Sequence, residues 1–181
     1  VRRPSFIVWE GIVDEDTVVE HRLYFIKNEF YDKVADPCLR MNKADTKRPH
    51  YYVFKDPETN LLWMIPCSSK IEKYQEIIDR CEALKKPHDR IQIIRVNGFD
   101  EAFLYQDMFP VTPDYVDSVY KNSKGVFEIK DDNDIKQVER TAVKMIKMLR
   151  HNVKFNKTQP DINRIEKMMI EELDAKGEPR E

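Results

Sequence analysis

The chain has 181 residues, 41% of them hydrophobic and 35% charged, with a net charge of −2. That length fits one domain with a real core, and no apolar run approaches the ~18 residues of a membrane span or follows a signal-peptide layout. Three scattered cysteines exclude a disulfide framework or a paired-cysteine metal site and fit a reducing cytoplasm, and four glycines without GxGxxG or P-loop spacing set aside the nucleotide-cofactor folds.

The net charge hides a gradient. Residues 1–20 set Arg2 and Arg3 against five acids, and residues 171–181 set Lys176 and Arg180 against five more. The body, residues 21–170, therefore carries +4. A mildly basic body between acidic ends is compatible with an RNA partner, though many neutral enzymes have such patches.

In chain order, Phe6-Ile7-Val8-Trp9 reads as an edge strand and Leu23 to Ile26 as a second strand. Asn28 to Val34 fits a short helix burying Phe30, Tyr31 and Val34, ended by Asp36-Pro37. Residues 38–50 form a basic loop with Arg40, Lys43, Lys47, Arg48 and His50. Tyr51 to Phe54 and Leu61 to Ile65 flank the turn cluster Asp56 to Asn60, which predicts a hairpin. The apolar run ends at Pro66. Ser69-Lys70-Ile71-Glu72 then has capping-box spacing, with Ser69 at the N-cap of a helix that Lys85-Lys86-Pro87 closes.

Ile91 to Val96, Asn97-Gly98 and Ala102 to Gln106 predict a second hairpin. Met108 to Val111 is a buried bend. Thr112-Pro113 opens a helix that would bury Tyr115, Val116, Val119 and Tyr120. Val126 to Ile129 reads as a last strand. Ile135, Val138, Ala142, Met145, Ile146 and Leu149 mark the cleanest helix, and Thr158 to Leu173 the final one.

Three constellations carry chemistry. At Ser68-Ser69-Lys70 a strand gives way to a helix start, where backbone N–H groups, hydroxyls and an ammonium suit a phosphate; Lys73 lies one turn on. A helix cap alone would use the same residues. In the second, Lys47, Arg48, His50, Tyr51 and Tyr52 precede the partner strand. Antiparallel pairing sets Arg48 and Ser68 at one edge. Arg48 suits bidentate phosphate contact, and His50 could exchange protons near neutral pH. The third is a stripe, Lys136, Arg140, Lys144, Lys147 and His151, on one helix face with no acid among them. Lys85, Lys86, His88 and Arg90 extend that track. The tyrosines suit the core better than base stacking, with Tyr51 kept beside the basic loop as an RNA contact. The four histidines lack metal-ligand spacing, and no cofactor is expected.

The order of these features, from the basic loop with Arg48-Pro49-His50-Tyr51-Tyr52 through Trp63-Met64-Ile65-Pro66-Cys67-Ser68-Ser69-Lys70 to Lys73-Tyr74 and Phe109-Pro110-Val111, resembles the ToxN/AbiQ family of type III toxin–antitoxin endoribonucleases. The likeness spans residues 22–173, leaving 1–21 as an N-terminal extension and 174–181 as a polar tail. It implies an α+β fold: a compact single domain with a strongly bent, mainly antiparallel sheet flanked by helices, similar to Kid/MazF toxins. It also implies metal-independent RNA cleavage to a 2′,3′-cyclic phosphate, and inhibition by a small folded repeat RNA that assembles with the toxin. The family places a basic residue and a hydroxyl pair where Arg48 and Ser68-Ser69 stand. Cys67 replaces a usual aliphatic residue, and Lys70 follows Ser69 directly, so the functional lysine is Lys70 or Lys73. A non-catalytic RNA-binding module is the alternative reading.

Overall fold

The computed structural model describes residues 17–39, 42 and 47–177. The expected strand at Phe6 to Trp9, with Arg40 and Lys43 of the basic loop, lies outside them. Within them the chain runs β1 (Leu23–Ile26), α1 (Asn28–Val34), β2 (His50–Lys55), β3 (Leu62–Ser68), α2 (Ile71–Ala83), β4 (Ile91–Val96) and β5 (Phe99–Leu104). It continues with β6 (Phe109–Val111), β7 (Val116–Val119), β8 (Lys121–Asn122), β9 (Gly125–Val126), α3 (Asp132–Arg150) and α4 (Ile162–Ala175). The fold is α+β, as expected.

A seven-stranded sheet has the order β4-β5-β3-β2-β1-β7, with β6 also on β3. All its pairings are antiparallel. Strand β3 is the spine, and each of its seven residues is buried. A strand covered on both faces reads as a continuous apolar run rather than an alternating one, which is why Leu61 to Ile65 is so prominent in the sequence. One edge of β3 lies along β2. Its other edge is shared: Leu62, Trp63 and Met64 pair with β6, whereas Cys67 and Ser68 pair with β5. The strand therefore runs through Pro66, although the apolar run by itself predicts an end there.

Local chemistry explains the joints. The β4–β5 turn puts Asn97 and Gly98 at φ 49° and 82°, the two positive angles that a tight hairpin turn requires. Ala35 ends α1 in the left-handed region and donates its N–H to the Tyr31 carbonyl. Asp131 caps α3 by accepting from the N–H groups of Asn133 and Asp134, and Asp161 caps α4 through Arg164. Helix α4 thus starts later than the predicted Thr158.

The main core lies between the sheet and α1, α3 and α4, around Trp63, Tyr51, Phe30 and Phe109. A smaller cluster seats Tyr74 and Ile78 of α2 on Ile91, Ala102 and Leu104.

One predicted helix is absent. Pro113–Tyr115 is a single 3-10 turn, and Val116–Val119 is a strand on β1. Strand β1 has β2 on one side only, and its other edge needs partners. Lys27 donates to the Tyr115 carbonyl and Tyr120 to the Leu23 carbonyl, so the β-branched pair Val116 and Val119 goes to the sheet. The predicted strand over Val126 to Ile129 is shorter as β9. Beyond it Phe127 and Ile129 exchange backbone bonds with Leu23 and His21.

Candidate active site

The β2–β3 register decides what meets at the sheet edge. His50 faces Pro66, and the Cys67 N–H donates to the Pro49 carbonyl at 2.9 Å. Continuing that register sets Arg48 opposite Ser68. Directly opposed residues share a face of the sheet, so Arg48, Ser68, His50 and Pro66 lie on one side. Ser68 also pairs with Ala102 of β5, on the face that α2 covers.

The junction differs from the predicted capping box. Lys70, not Ser69, precedes the first helical residue, and no side chain caps the helix. The ladder to β5 holds the chain extended through Ser68, which leaves two residues to make the bend. Ser68 Oγ accepts the Lys70 N–H at 3.3 Å, a hydroxyl turn of the i, i+2 kind, and the Ile71 N–H donates to the Ser69 carbonyl. Ser68 is therefore almost buried, with its own O–H left to donate. Ser69 and Lys70 are exposed. Lys73 is exposed one turn further on, its ammonium over the Tyr74 ring.

Two further assignments change. His50 is 1% exposed. Burial first, then the Arg48 guanidinium, pushes its pKa down to about 3, against the Arg48 and Tyr24 backbone groups that favour protonation. It is a neutral imidazole at physiological pH and does not exchange protons there. Tyr51 is wholly buried against Phe103 and bonds His21 through its hydroxyl, so it cannot touch RNA. Lys47 is exposed but paired with Asp117 at 2.8 Å, over the Phe25 ring.

The cationic stripe is real as geometry. Lys136, Arg140, Lys144 and Lys147 lie on α3 away from its buried Val138, Ala142 and Met145, and the exposed His151 follows at its C-cap. It is less purely cationic than its own helix suggests, because Lys144 pairs with Asp89 from the α2–β4 loop. That same contact brings the exposed Lys85 and Lys86 alongside α3, across a shallow depression that also takes in Gln137 and Thr141. Arg90 leaves the track, since its guanidinium donates to the Phe155 carbonyl and covers the Phe155 ring.

Sequence reasoning misses a cavity of about 260 Å³ beside Arg48. Besides the open end of the β2–β3 hairpin and the start of β6, its walls come from the loop after α1, the 3-10 turn after β5 and the α3–α4 connection. Arg48, His50, Pro66 and Phe109 line it, with Gln106 and Asn156 among its polar walls. His50 Nδ1 has no hydrogen-bond partner among the described residues, and neither does the buried Tyr31 hydroxyl, which lies within the field of Arg48. Burial raises the Tyr31 pKa, and Arg48 only partly offsets this. A residue-by-residue pattern gives no sign of a space assembled from segments so far apart. Within the described residues no group of three or more His, Cys, Asp or Glu side chains could hold a metal ion, and no helix is long and apolar enough to cross a membrane.

Neither a family model nor a curated protein sequence matches the chain. Solved structures do. AbiQ, a lactococcal anti-phage endoribonuclease of the type III toxin–antitoxin system, is similar at a TM-score of 0.64 and 14% identity, over 86% of this chain and 98% of its own. A bacterial type III toxin selectively inhibited by a non-coding RNA pseudoknot gives 0.60 and 17%, over 83% and 96%. Over more than four fifths of its length, the chain has the fold of type III toxin–antitoxin toxins.

Proposed function

We propose that the chain is an endoribonuclease toxin that cleaves RNA without a metal ion and is held inactive by a folded repeat RNA. The observation that carries this reading is the opposition of Arg48 and Ser68 at the head of α2, in a fold similar to that of an anti-phage endoribonuclease. The 2′-hydroxyl of the RNA attacks the adjacent phosphorus. The P–O5′ bond breaks, and the products are a 2′,3′-cyclic phosphate and a 5′-hydroxyl end. Two protons move: one leaves the 2′-hydroxyl and one reaches the departing 5′ oxygen. Arg48 and the Ser68 hydroxyl hold the non-bridging oxygens, where charge develops, and Lys70 or Lys73 adds a cation at the helix start. Ser69, exposed at the bend, contacts the strand on the solvent side. With His50 neutral and buried, the general base falls to a lysine or to the RNA itself.

The α3 stripe with Lys85 and Lys86 docks folded RNA through its backbone; the second similar toxin is inhibited by a non-coding RNA pseudoknot. Incubating purified protein with a fluorescent RNA in EDTA tests the whole reading. Cleavage with cyclic-phosphate ends that Arg48→Ala lowers ~10²–10³-fold supports it. Tight binding with no turnover would make the protein an RNA-docking module instead.

A further inference from the structure

Resting on the endoribonuclease reading, we propose that the cavity beside Arg48 receives one unpaired nucleobase of the substrate strand, next to the scissile phosphate, and sets which base is cut. Five observations converge. The cavity, at about 260 Å³, holds a single base and not a base pair. Arg48, the phosphate contact, is also part of its wall, so backbone and base binding are contiguous.

The distance along the strand is right. His50 and Pro66 sit two residues from Arg48 and Ser68, ~6.6 Å along a strand, which is comparable to the reach from a phosphate to its own base. The lining is also of the kind that reads bases. Phe109 and Pro66 give apolar surfaces for a ring face, while the Gln106 amide offers a paired donor and acceptor for a base edge and Asn156, whose Oδ1 accepts from Thr158, adds its Nδ2 donor. Finally, His50 Nδ1 is buried at the cavity wall without a partner among the described residues. A buried polar atom without a bond costs stability, and a base edge would satisfy it. Because His50 stays neutral, it offers a fixed hydrogen-bonding pattern and no charge that would favour any anion.

A cavity that merely trapped solvent would sit beside the chemistry without affecting its selectivity. Two measurements separate the cases. The first follows cleavage of an RNA pool with one randomised position on each side of the cut. Gln106→Ala should narrow the spread between best and worst base at one of these positions by about tenfold, the discrimination of one good base contact. Arg48→Ala should instead lower cleavage of every RNA alike.

The second uses Cys38, a half-buried free thiol in the cavity wall, in a Cys81→Ser background; Cys67 is buried. Alkylation of Cys38 by N-ethylmaleimide should slow several-fold with a 2′-O-methyl tetranucleotide of mixed sequence, and not with ribose 5-phosphate. An unchanged base preference in Gln106→Ala overturns the proposal, as does equal protection by the sugar phosphate or none at all. A wild-type protein that cuts no RNA removes the enzyme reading, and the alkylation result still decides whether the cavity takes a base.

Discussion

The two ends of the β2–β3 hairpin are built on opposite principles. At the turn end the prominent polar groups are partnered. Asp56 accepts from the Glu58 N–H and the Trp63 indole and pairs with Arg150 at 2.5 Å. Arg150 also pairs with Glu166 and covers the Trp63 ring. At the open end, Arg48 and His50 line a cavity, and His50 Nδ1 and the nearby Tyr31 hydroxyl have no partner among the described residues. One hairpin thus ties its strands to α3 and α4 at one tip and presents unsatisfied groups at the other. Satisfied networks specify a fold, whereas groups left unsatisfied in a folded protein point to a ligand.

The sharpest test of this contrast is substitution at each tip. Arg48→Ala or Ser68→Ala should lower RNA cleavage ~10²–10³-fold, the loss of one preorganised contact to developing charge, with an unchanged unfolding midpoint in urea for Arg48→Ala and a loss of about 1 kcal/mol for Ser68→Ala, whose Oγ accepts the Lys70 N–H. Arg150→Ala should do the reverse: a loss of about 2–3 kcal/mol in urea unfolding with any remaining activity per folded molecule intact. Removing one partner strands two carboxylates, but Arg150 keeps 30% of its side chain exposed, which places the cost at the low end for such pairs. Equal effects at both tips would dissolve the distinction.

The pH dependence of stability sharpens it further. Burial opposes the charge on Asp56, yet the Glu58 N–H, Arg150 and Trp63 hold its pKa below the usual range. Its contribution is therefore complete above the unfolded value of ~4 and lost as pH falls below it. Glu101 behaves oppositely. It is buried, with Oε2 unpartnered among the described residues, and burial raises its pKa to about 7. The folded state favours the protonated acid, so stability should fall as pH rises from ~4.5 to ~7 and level off above that. Glu101→Gln should flatten that decline and be the more stable protein at pH ~8, measured by urea unfolding across pH.

The smallest expected effect is on the surface. Lys144→Ala breaks an exposed ion pair with Asp89 and should cost under ~1 kcal/mol of stability. It should nonetheless reduce the slope of log affinity for folded RNA against log salt by about one unit. An unchanged slope would remove Lys144 from the docking track.

Much of the framework is legible because it rests on local chemistry. Asp56 to Asn60 and Asn97-Gly98 turn where turn residues demand it, and the α3 periodicity appears as a helix with the expected buried face. The edge shared by Arg48 and Ser68 follows from hairpin pairing alone. The departures come from tertiary competition. Ser69 has the spacing of a cap, but the Ser68–Ala102 ladder holds the chain extended past the point where it could serve. Thr112-Pro113 has helix-start chemistry, but the open edge of β1 takes Val116 and Val119. Burial is equally invisible to a motif: His50 and Tyr51 adjoin a basic loop by sequence and sit in the core by structure.

Pro66 matters as much for the hydrogen it lacks as for the ring it brings. Cys67 directs its N–H to Pro49, so by alternation the backbone nitrogen of Pro66 faces the other edge of β3, where neither β5 nor β6 pairs. Any other residue would bring a donor to that gap, and a proline brings none. The imino acid therefore works as a window frame. It lets two strands part along a central strand without stranding a hydrogen, and the opening is where the wall of the Arg48 cavity begins.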